Sequence, residues 1–410
     1  MKKAFLKKEE PMNKVELLAP AGNLEKAKIS LMYGADAVYV GGKSFSLRAR
    51  ASNFSVLEIK ELVEFAHKLN KKVYVTMNII PHDSDFSGLD EYLKDLEKVN
   101  VDAIIVSSLY IIKRAREVAP HLEVHLSTQK STTNVPTIEY YEKLGATRVV
   151  LAREVTLDEM KYIKEQTNLE LEVFIHGGMC ASYSGHCVLS NHMTNRDANR
   201  GGCAHSCRWN YTLVKDGEKL PLNFNFGSKD MMAVSFIPSL IDMGIESLKI
   251  EGRMKSVYYL ATVVRAYRLL IDEYYKTNGS ISSEFVDFII KEIGKAENRE
   301  TNVGFYKGIP DVTGQLYDNR DEIPTKEYVG MVLEYDEAKK MALVEQRNYL
   351  VVGDKVEFFG PSLKNTEMIL GEMIDDETKE TMEIARHPLQ KFWISVPFKV
   401  SKYDLIRKVQ

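Results

Sequence analysis

Cysteine is scarce in this chain: there are four in 410 residues, Cys180, Cys187, Cys203 and Cys207, and none outside the stretch they bound. Such a distribution argues against a disulfide framework, which stabilises small secreted domains that cannot bury a sufficient core, because this chain is long and 44% hydrophobic. Long apolar runs are also missing, and no stretch approaches the roughly eighteen residues of a membrane span. The opening Met1 to Met12, MKKAFLKKEEPM, is charged and has no apolar centre, so it does not read as a signal peptide. Together these absences predict a reducing, cytoplasmic setting without membrane attachment, where clustered cysteines bind metal or carry redox chemistry. No excess of positive charge is present either. A net charge of -3 and a pI near 6.4 exclude a globally basic nucleic-acid binder but leave room for a local basic patch. Finally, no Gly-x-Gly-x-x-Gly follows a strand, and neither a Gly-x-Ser-x-Gly elbow nor a His-Glu-x-x-His helix occurs. That removes the sequence signals of a dinucleotide fold, a serine hydrolase and a zincin.

What is present from Lys14 onward is a repeated switch between short β-rich runs and amphipathic stretches, the signature of βα units. Strands are expected at Val15-Leu18, Ala37-Val40, Val73-Asn78, Ala103-Val106, Glu123-Ser127, Val149-Ala152, Leu171-His176 and, much later, Ser247-Ile250. Helices are expected at Leu24-Gly34, Val56-Leu69, Leu109-Ala119, Ile138-Leu144 and Leu157-Gln166. Eight strands in this order favour a TIM-like (β/α)8 barrel over an open, doubly wound sheet. The predicted organisation is a tail over 1–13, a barrel over 14–303 with a cysteine-rich insertion at 177–208, a linker at 304–327 and a small antiparallel β-barrel domain over 328–410. The last rests on short strands beyond Tyr328, separated by turns such as Val352-Gly353-Asp354.

Barrel enzymes work at the C-terminal ends of their strands. Residues there are Asn78, Ser127 with Gln129, Arg153 with Glu154, His176, and the run Lys249-Ile250-Glu251-Gly252-Arg253. His176, Glu251 and Arg253 become the candidate catalytic residues. Any one of these polar side chains is more simply a helix cap or a solvated loop residue, and only the group carries weight.

The cysteines follow His176 with the spacing Cys-x6-Cys-x15-Cys-x3-Cys. Structural zinc sites place close pairs at both ends, and only the second pair here complies. Iron–sulfur ligation accepts wider spacing because a cubane is larger than one ion, and the flanking glycines let backbone N–H groups approach cluster sulfides. Zinc stays the alternative, since His176, His186, His192 or His205 could replace a thiolate. Arg196, Arg200 and Arg208 either clamp an anionic substrate, with Lys249 as a further substrate-binding candidate, or offset thiolate charge. Tyr183 and Trp209 could stack on a base or simply pack. The run His82-Asp83-Ser84-Asp85 reads as a turn.

Several segments are recognisable together: Leu18-Ala19-Pro20-Ala21-Gly22-Asn23, Ser184-Gly185-x-Cys187, Asn199-Arg200-Gly201-x-Cys203-x3-Cys207-Arg208, Ser228-Lys229-Asp230 and Ser247 to Lys255. They resemble the collagenase-like peptidase family, number 32 among the peptidases of unassigned mechanism, from about Val15 to the chain end. The resemblance implies an activity other than the family label. Bacterial members similar in length and C-terminal domain act in prephenate-dependent conversion of a wobble uridine of tRNA to 5-hydroxyuridine. It implies a [4Fe–4S] cluster on Cys180, Cys187, Cys203 and Cys207, with tRNA and prephenate or a related carboxylate metabolite as partners. A protein partner docking on the C-terminal barrel is a further expectation. The competing readings are a collagenase-like peptidase and a non-catalytic scaffold that carries a cluster.

Overall fold

The structure is a computed structural model describing residues 14–47, 53–296, 299–316 and 326–409. The expected tail, 1–13, and positions 317–325 of the expected linker lie outside the described residues.

Seven strands follow one another as parallel neighbours: β1 (Glu16–Pro20), β2 (Ala37–Gly41), β3 (Lys72–Met77), β4 (Ala103–Val106), β5 (Glu123–Leu126), β6 (Arg148–Val150) and β7 (Glu170–Gly177). After β7 the chain inserts the cysteine segment, a hairpin of β8 (Tyr211–Lys215) and β9 (Glu218–Phe224), and β10 (Asp230–Met232), which runs antiparallel to the end of β7. Only then does β11 (Ser247–Ile250) pair in parallel with both β7 and β1, closing the barrel.

Helices α1 (Leu24–Met32), α2 (Val56–Lys68), α3 (Leu89–Lys98), α4 (Leu109–Val118), α5 (Val135–Lys143) and α6 (Leu157–Gln166) alternate with the strands. Local chemistry sets their starts. Ser55 with Glu58 and Thr156 with Glu159 form capping boxes, and Asn23, Ser108 and Asn134 cap by accepting from backbone N–H groups. The short α7 (Leu189–Thr194) lies in the cysteine segment, α8 (Ile237–Asp242) precedes β11, and α9 (Val257–Lys276) and α10 (Ser283–Gly294) complete the outer layer.

The barrel is filled, and its lower interior is charged. Arg148 pairs with Glu16 at 2.6 Å and with the fully buried Glu172 at 3.3 Å, and its guanidinium lies 5.5 Å from the Tyr74 ring centre. Glu172 also receives Lys249 at 2.6 Å. These side chains come from β1, β3, β6, β7 and β11, several of which are not neighbours, so they meet only inside the barrel.

The described part of the expected linker does not hang free. β12 (Thr301–Asn302) pairs with β10, the buried Tyr306 hydroxyl donates to the Phe174 carbonyl at 2.6 Å, and Leu316 N donates to the Gly227 carbonyl. Residues 304–316 therefore pack on the barrel.

The C-terminal domain consists of β13 (Tyr328–Asp336), β14 (Met341–Gln346), β15 (Leu350–Val351), β16 (Lys355–Phe359), β17 (Thr366–Ile369), β18 (Met373–Asp375), β19 (Thr381–Met382), β20 (Ile384–Ala385), β21 (Lys391–Ser395) and β22 (Leu405–Lys408). Eight of these make one antiparallel sheet curled around its own core of Val329, Val344, Phe358, Phe392 and Ile394, and β15 pairs with β20. A polar seam joins it to the barrel: Arg407, fully buried, reaches Glu292 on α10 and Glu357 on β16, and the Tyr33 hydroxyl at the end of α1 donates to the Tyr403 carbonyl.

Candidate active site at the barrel mouth

The end of β7 determines which residues reach the mouth. Its pairing with β11 runs Lys249 with Phe174 and then Ile250 with His176, so Ile175 is an extra residue, a β-bulge. A bulge shifts the two-residue alternation by one, so the side chain after it changes face. Glu172 lies inside the barrel; His176 turns outward against α9. Its ring lies between Tyr259 and Tyr267, and Nδ1 is 3.3 Å from the Tyr267 hydroxyl. Burial pushes its pKa down to about 3; the Lys255 ammonium adds to this and the Glu251 carboxylate opposes it. The structure therefore places His176, an expected catalytic residue, against the outer layer and not inside the barrel. The next residue, Gly177, has φ +107, and a Cβ there would stand 2.7 Å from the Glu251 carbonyl, so the strand crossing requires glycine.

The cysteine segment lies across the mouth and is fixed to three barrel loops. The Ser131 hydroxyl donates to the Ser184 carbonyl at 2.6 Å, and Arg153 donates to the Ser184 hydroxyl at 2.9 Å. Ile80 N donates to the Asn199 carbonyl, and Arg200 binds Asp85 through both guanidinium nitrogens as well as the Ile80 carbonyl. Asp85, within the turn His82 to Asp85, is held below the usual carboxylate range by that guanidinium.

All three of the expected substrate arginines make contacts within the protein. Arg200 ties the segment to the β3–α3 loop. Arg208 donates to the Met179 and Ser228 carbonyls and pairs with Asp230 at 3.6 Å. Arg196 donates to the Cys203 carbonyl at 3.2 Å, bracing the segment from within. Arg253 is buried, donating to Ser46, the Leu47 carbonyl and Asn53, so it clamps the β2–α2 loop and is not open to substrate. Lys249 is likewise buried, on Glu172, with its ammonium 4.5 Å from the Tyr39 ring centre. Glu251 remains at the mouth: its carboxylate and that of Asp230 flank Gly178, at 3.6 and 3.9 Å from where a Cβ would be. Ser127 caps the turn that holds Gln129, and Asn78 accepts from Leu47 N.

Cys180 and Cys203 are exposed, Cys187 and Cys207 partly so, and none of the four is in a disulfide. Burial pushes the Cys207 thiol up, and so do the thiolates of Cys180, Cys203 and Cys187, against the pull of Arg208. All four sulfurs thus share one neighbourhood. Among the described residues no three His, Cys, Asp or Glu side chains stand close enough to hold a single metal ion as they are placed. As a donor set, four soft thiols on a glycine-rich loop suit a cluster larger than one ion.

A peptidase family U32 model matches residues 22–316, and the model of that family's C-terminal domain matches residues 324–407. The chain belongs to peptidase family U32. This U32 chain is 47% identical over 407 residues to tRNA hydroxylation protein P1 of Bacillus subtilis, covering 96% of this chain and 95% of that protein. It is 38% identical over 273 residues to the 23S rRNA 5-hydroxycytidine C2501 synthase of Escherichia coli, covering 66% of this chain and 41% of that protein. It is also 30% identical over 407 residues to a collagenase of Porphyromonas gingivalis, covering 95% of each. No described helix of the U32 chain is long and apolar enough to cross a membrane.

Asp85, Asp230 and Ser184 stood out in the sequence only as part of a turn or of recognisable segments, and their task as partners of the mouth arginines was not read there. Their signal was chemical, since each arginine near a cysteine cluster needs an acceptor, but the acceptor for Arg200 lies 115 residues away in the chain.

Proposed function

We propose that this chain is a cytoplasmic RNA-modifying enzyme that hydroxylates the wobble uridine of tRNA to 5-hydroxyuridine. The observation that carries this reading is the 47% identity to a tRNA hydroxylation protein along 96% of the chain. Cys180, Cys187, Cys203 and Cys207 would hold a [4Fe–4S] cluster, which when bound supplies one-electron transfer. Around it, the chain's own residues hold the cysteine segment over the mouth, and Ser184 of that segment fixes the Arg153 guanidinium. Prephenate or a related carboxylate is the proposed co-substrate.

The collagenase relative keeps a peptidase as the second reading. Less favourable to it is His176, the histidine at the end of β7, which is buried between Tyr259 and Tyr267 against α9 and whose burial lowers its basicity.

Mass spectrometry of tRNA nucleosides from a deletion strain tests the activity. Loss of 5-hydroxyuridine, restored by the wild-type gene but not by Cys203→Ala, is expected; an unchanged nucleoside profile sinks the reading. Protein purified anaerobically should show a broad absorbance band near ~400 nm. Colourless protein with stoichiometric zinc would remove the cluster, and gelatin degradation that survives loss of all four cysteines would favour the peptidase.

A further inference from the structure

The arginines expected to bind an anionic substrate prove to be engaged with the protein, and a different one is left with donors to offer. Arg153 follows β6, and its guanidinium lies flat enough on Phe174 to bring its carbon within 3.8 Å of the ring centre. One nitrogen donates to the buried Ser184 hydroxyl of the cysteine segment. Among the described residues no carboxylate pairs with it. A guanidinium carries five N–H donors, so a stacked, singly hydrogen-bonded arginine presents most of its fork to whatever enters.

The surroundings add to its positive field. Lys249 approaches the same Phe174 ring, 5.4 Å from its centre. Inside the barrel the buried Glu172 and the partly buried Glu16 are taken up by Arg148 and Lys249, and neither contacts Arg153. The remaining partner of Arg148, Glu170, is half-exposed at the opposite rim, where water screens it. Carboxylates are present at the mouth as well, Glu154 next to Arg153 and Glu251 and Asp230 at Gly178, but Asp230 is engaged by Arg208 and, among the described residues, none of the three forms an ion pair with Arg153.

We propose that Arg153, aimed by Ser184 and stacked on Phe174, is the anion-receiving residue of the mouth, binding one oxyanion of the substrate pair bidentately. Two sources share that chemistry, an RNA phosphodiester and a small carboxylate. The RNA arm of the test rests on the hydroxylase reading; the carboxylate arm does not.

The probes are a tRNA transcript, malonate and inorganic phosphate, each with the purified full-length protein. For a phosphodiester, Arg153→Gln should weaken tRNA binding about tenfold, as expected for loss of a charged hydrogen-bonded contact, and lower the slope of log K against log salt by about one. For a carboxylate, tRNA affinity should hold while the rise in melting temperature that malonate gives the wild type disappears. Either result supports the site. Unchanged tRNA affinity and salt slope, together with unchanged responses to malonate and phosphate, overturn it. Should Arg153→Gln fail to fold, Ser184→Ala removes only the hydrogen bond that aims the guanidinium, and about a threefold loss is expected in the same assays. None of these readouts involves hydroxylation, so failure here leaves the hydroxylase reading standing, and failure of the deletion-strain test leaves the anion site standing.

Discussion

Arg200 shows how a residue type can announce a charge without announcing its task. Beside four cysteines it reads equally as a substrate clamp or as compensation for thiolates, and in the structure it does neither first: it binds Asp85 and the Ile80 carbonyl. Both side chains are about three-quarters buried, at 25% and 22% exposure, so the pair is more than a surface contact and less than a core one. A double-mutant cycle on stability should give a coupling of about 1 kcal/mol, with Arg200→Ala and Asp85→Asn matching one another in lost absorbance of the proposed cluster and the double variant no worse than either. Additive losses would mean that Arg200 acts on something other than Asp85. His176 makes a second prediction at this scale. Its folded pKa, about 3, lies below the unfolded value, so the unfolded chain binds the extra proton between the two. Its contribution to stability is complete above about pH 6.5 and is lost as pH falls toward 3. His176→Phe should flatten that part of the stability curve in acid denaturation, and NMR of the wild type should show a ring that does not titrate between pH 5 and 8.

At the scale of elements, the alternation of β-rich and amphipathic runs fixed eight strands within a few residues, and the start of the cysteine segment four residues after His176, at the end of the seventh strand, located it over the mouth. Two features were out of reach. The Ile175 bulge shifts one strand by a single residue, and a strand buried on both faces from Leu171 onward shows no alternation to betray it, yet it moves His176 from the barrel interior to α9. The segment's anchoring was hidden for a different reason, because hydrogen bonds from Ser131, Arg153 and Ile80 join loops far apart in the chain. One of those anchors is a close approach of backbones. Gly185 has φ +83, and a Cβ there would meet the Gln129 carbonyl at 2.1 Å. Gly185→Ala should therefore lift the segment from the β5–α5 loop. The expected result is reduced cluster loading and faster proteolysis within 177–208, with barrel secondary structure unchanged by circular dichroism. Intact loading would show that the segment holds its ligands without that contact.

At the scale of the whole molecule, the two domains meet in a seam that is polar as well as apolar. Arg407 is fully buried between Glu292 of the barrel layer and Glu357 of the curled sheet, with its guanidinium 4.3 Å from the Phe359 ring centre. Arg265 reinforces the joint by donating to the Gly360 and Leu363 carbonyls and to Asn365. A buried ion cluster is costly to assemble, but once assembled it is costlier to break, because the partners left behind stay desolvated. Arg407→Ala leaves Glu292 and Glu357 with Lys295 as the cation between them, and should cost about 3 kcal/mol, the low end for breaking a buried ion pair. Since each domain has its own apolar core, the loss should fall on their union more than on either part. Calorimetry of the wild type is then expected to show one cooperative transition and that of Arg407→Ala two, with the cluster band surviving the first. If the variant still unfolds in one step, the apolar contacts of Tyr33, Tyr258 and Phe359 hold the domains together without the charges, and the ion cluster serves to set their orientation.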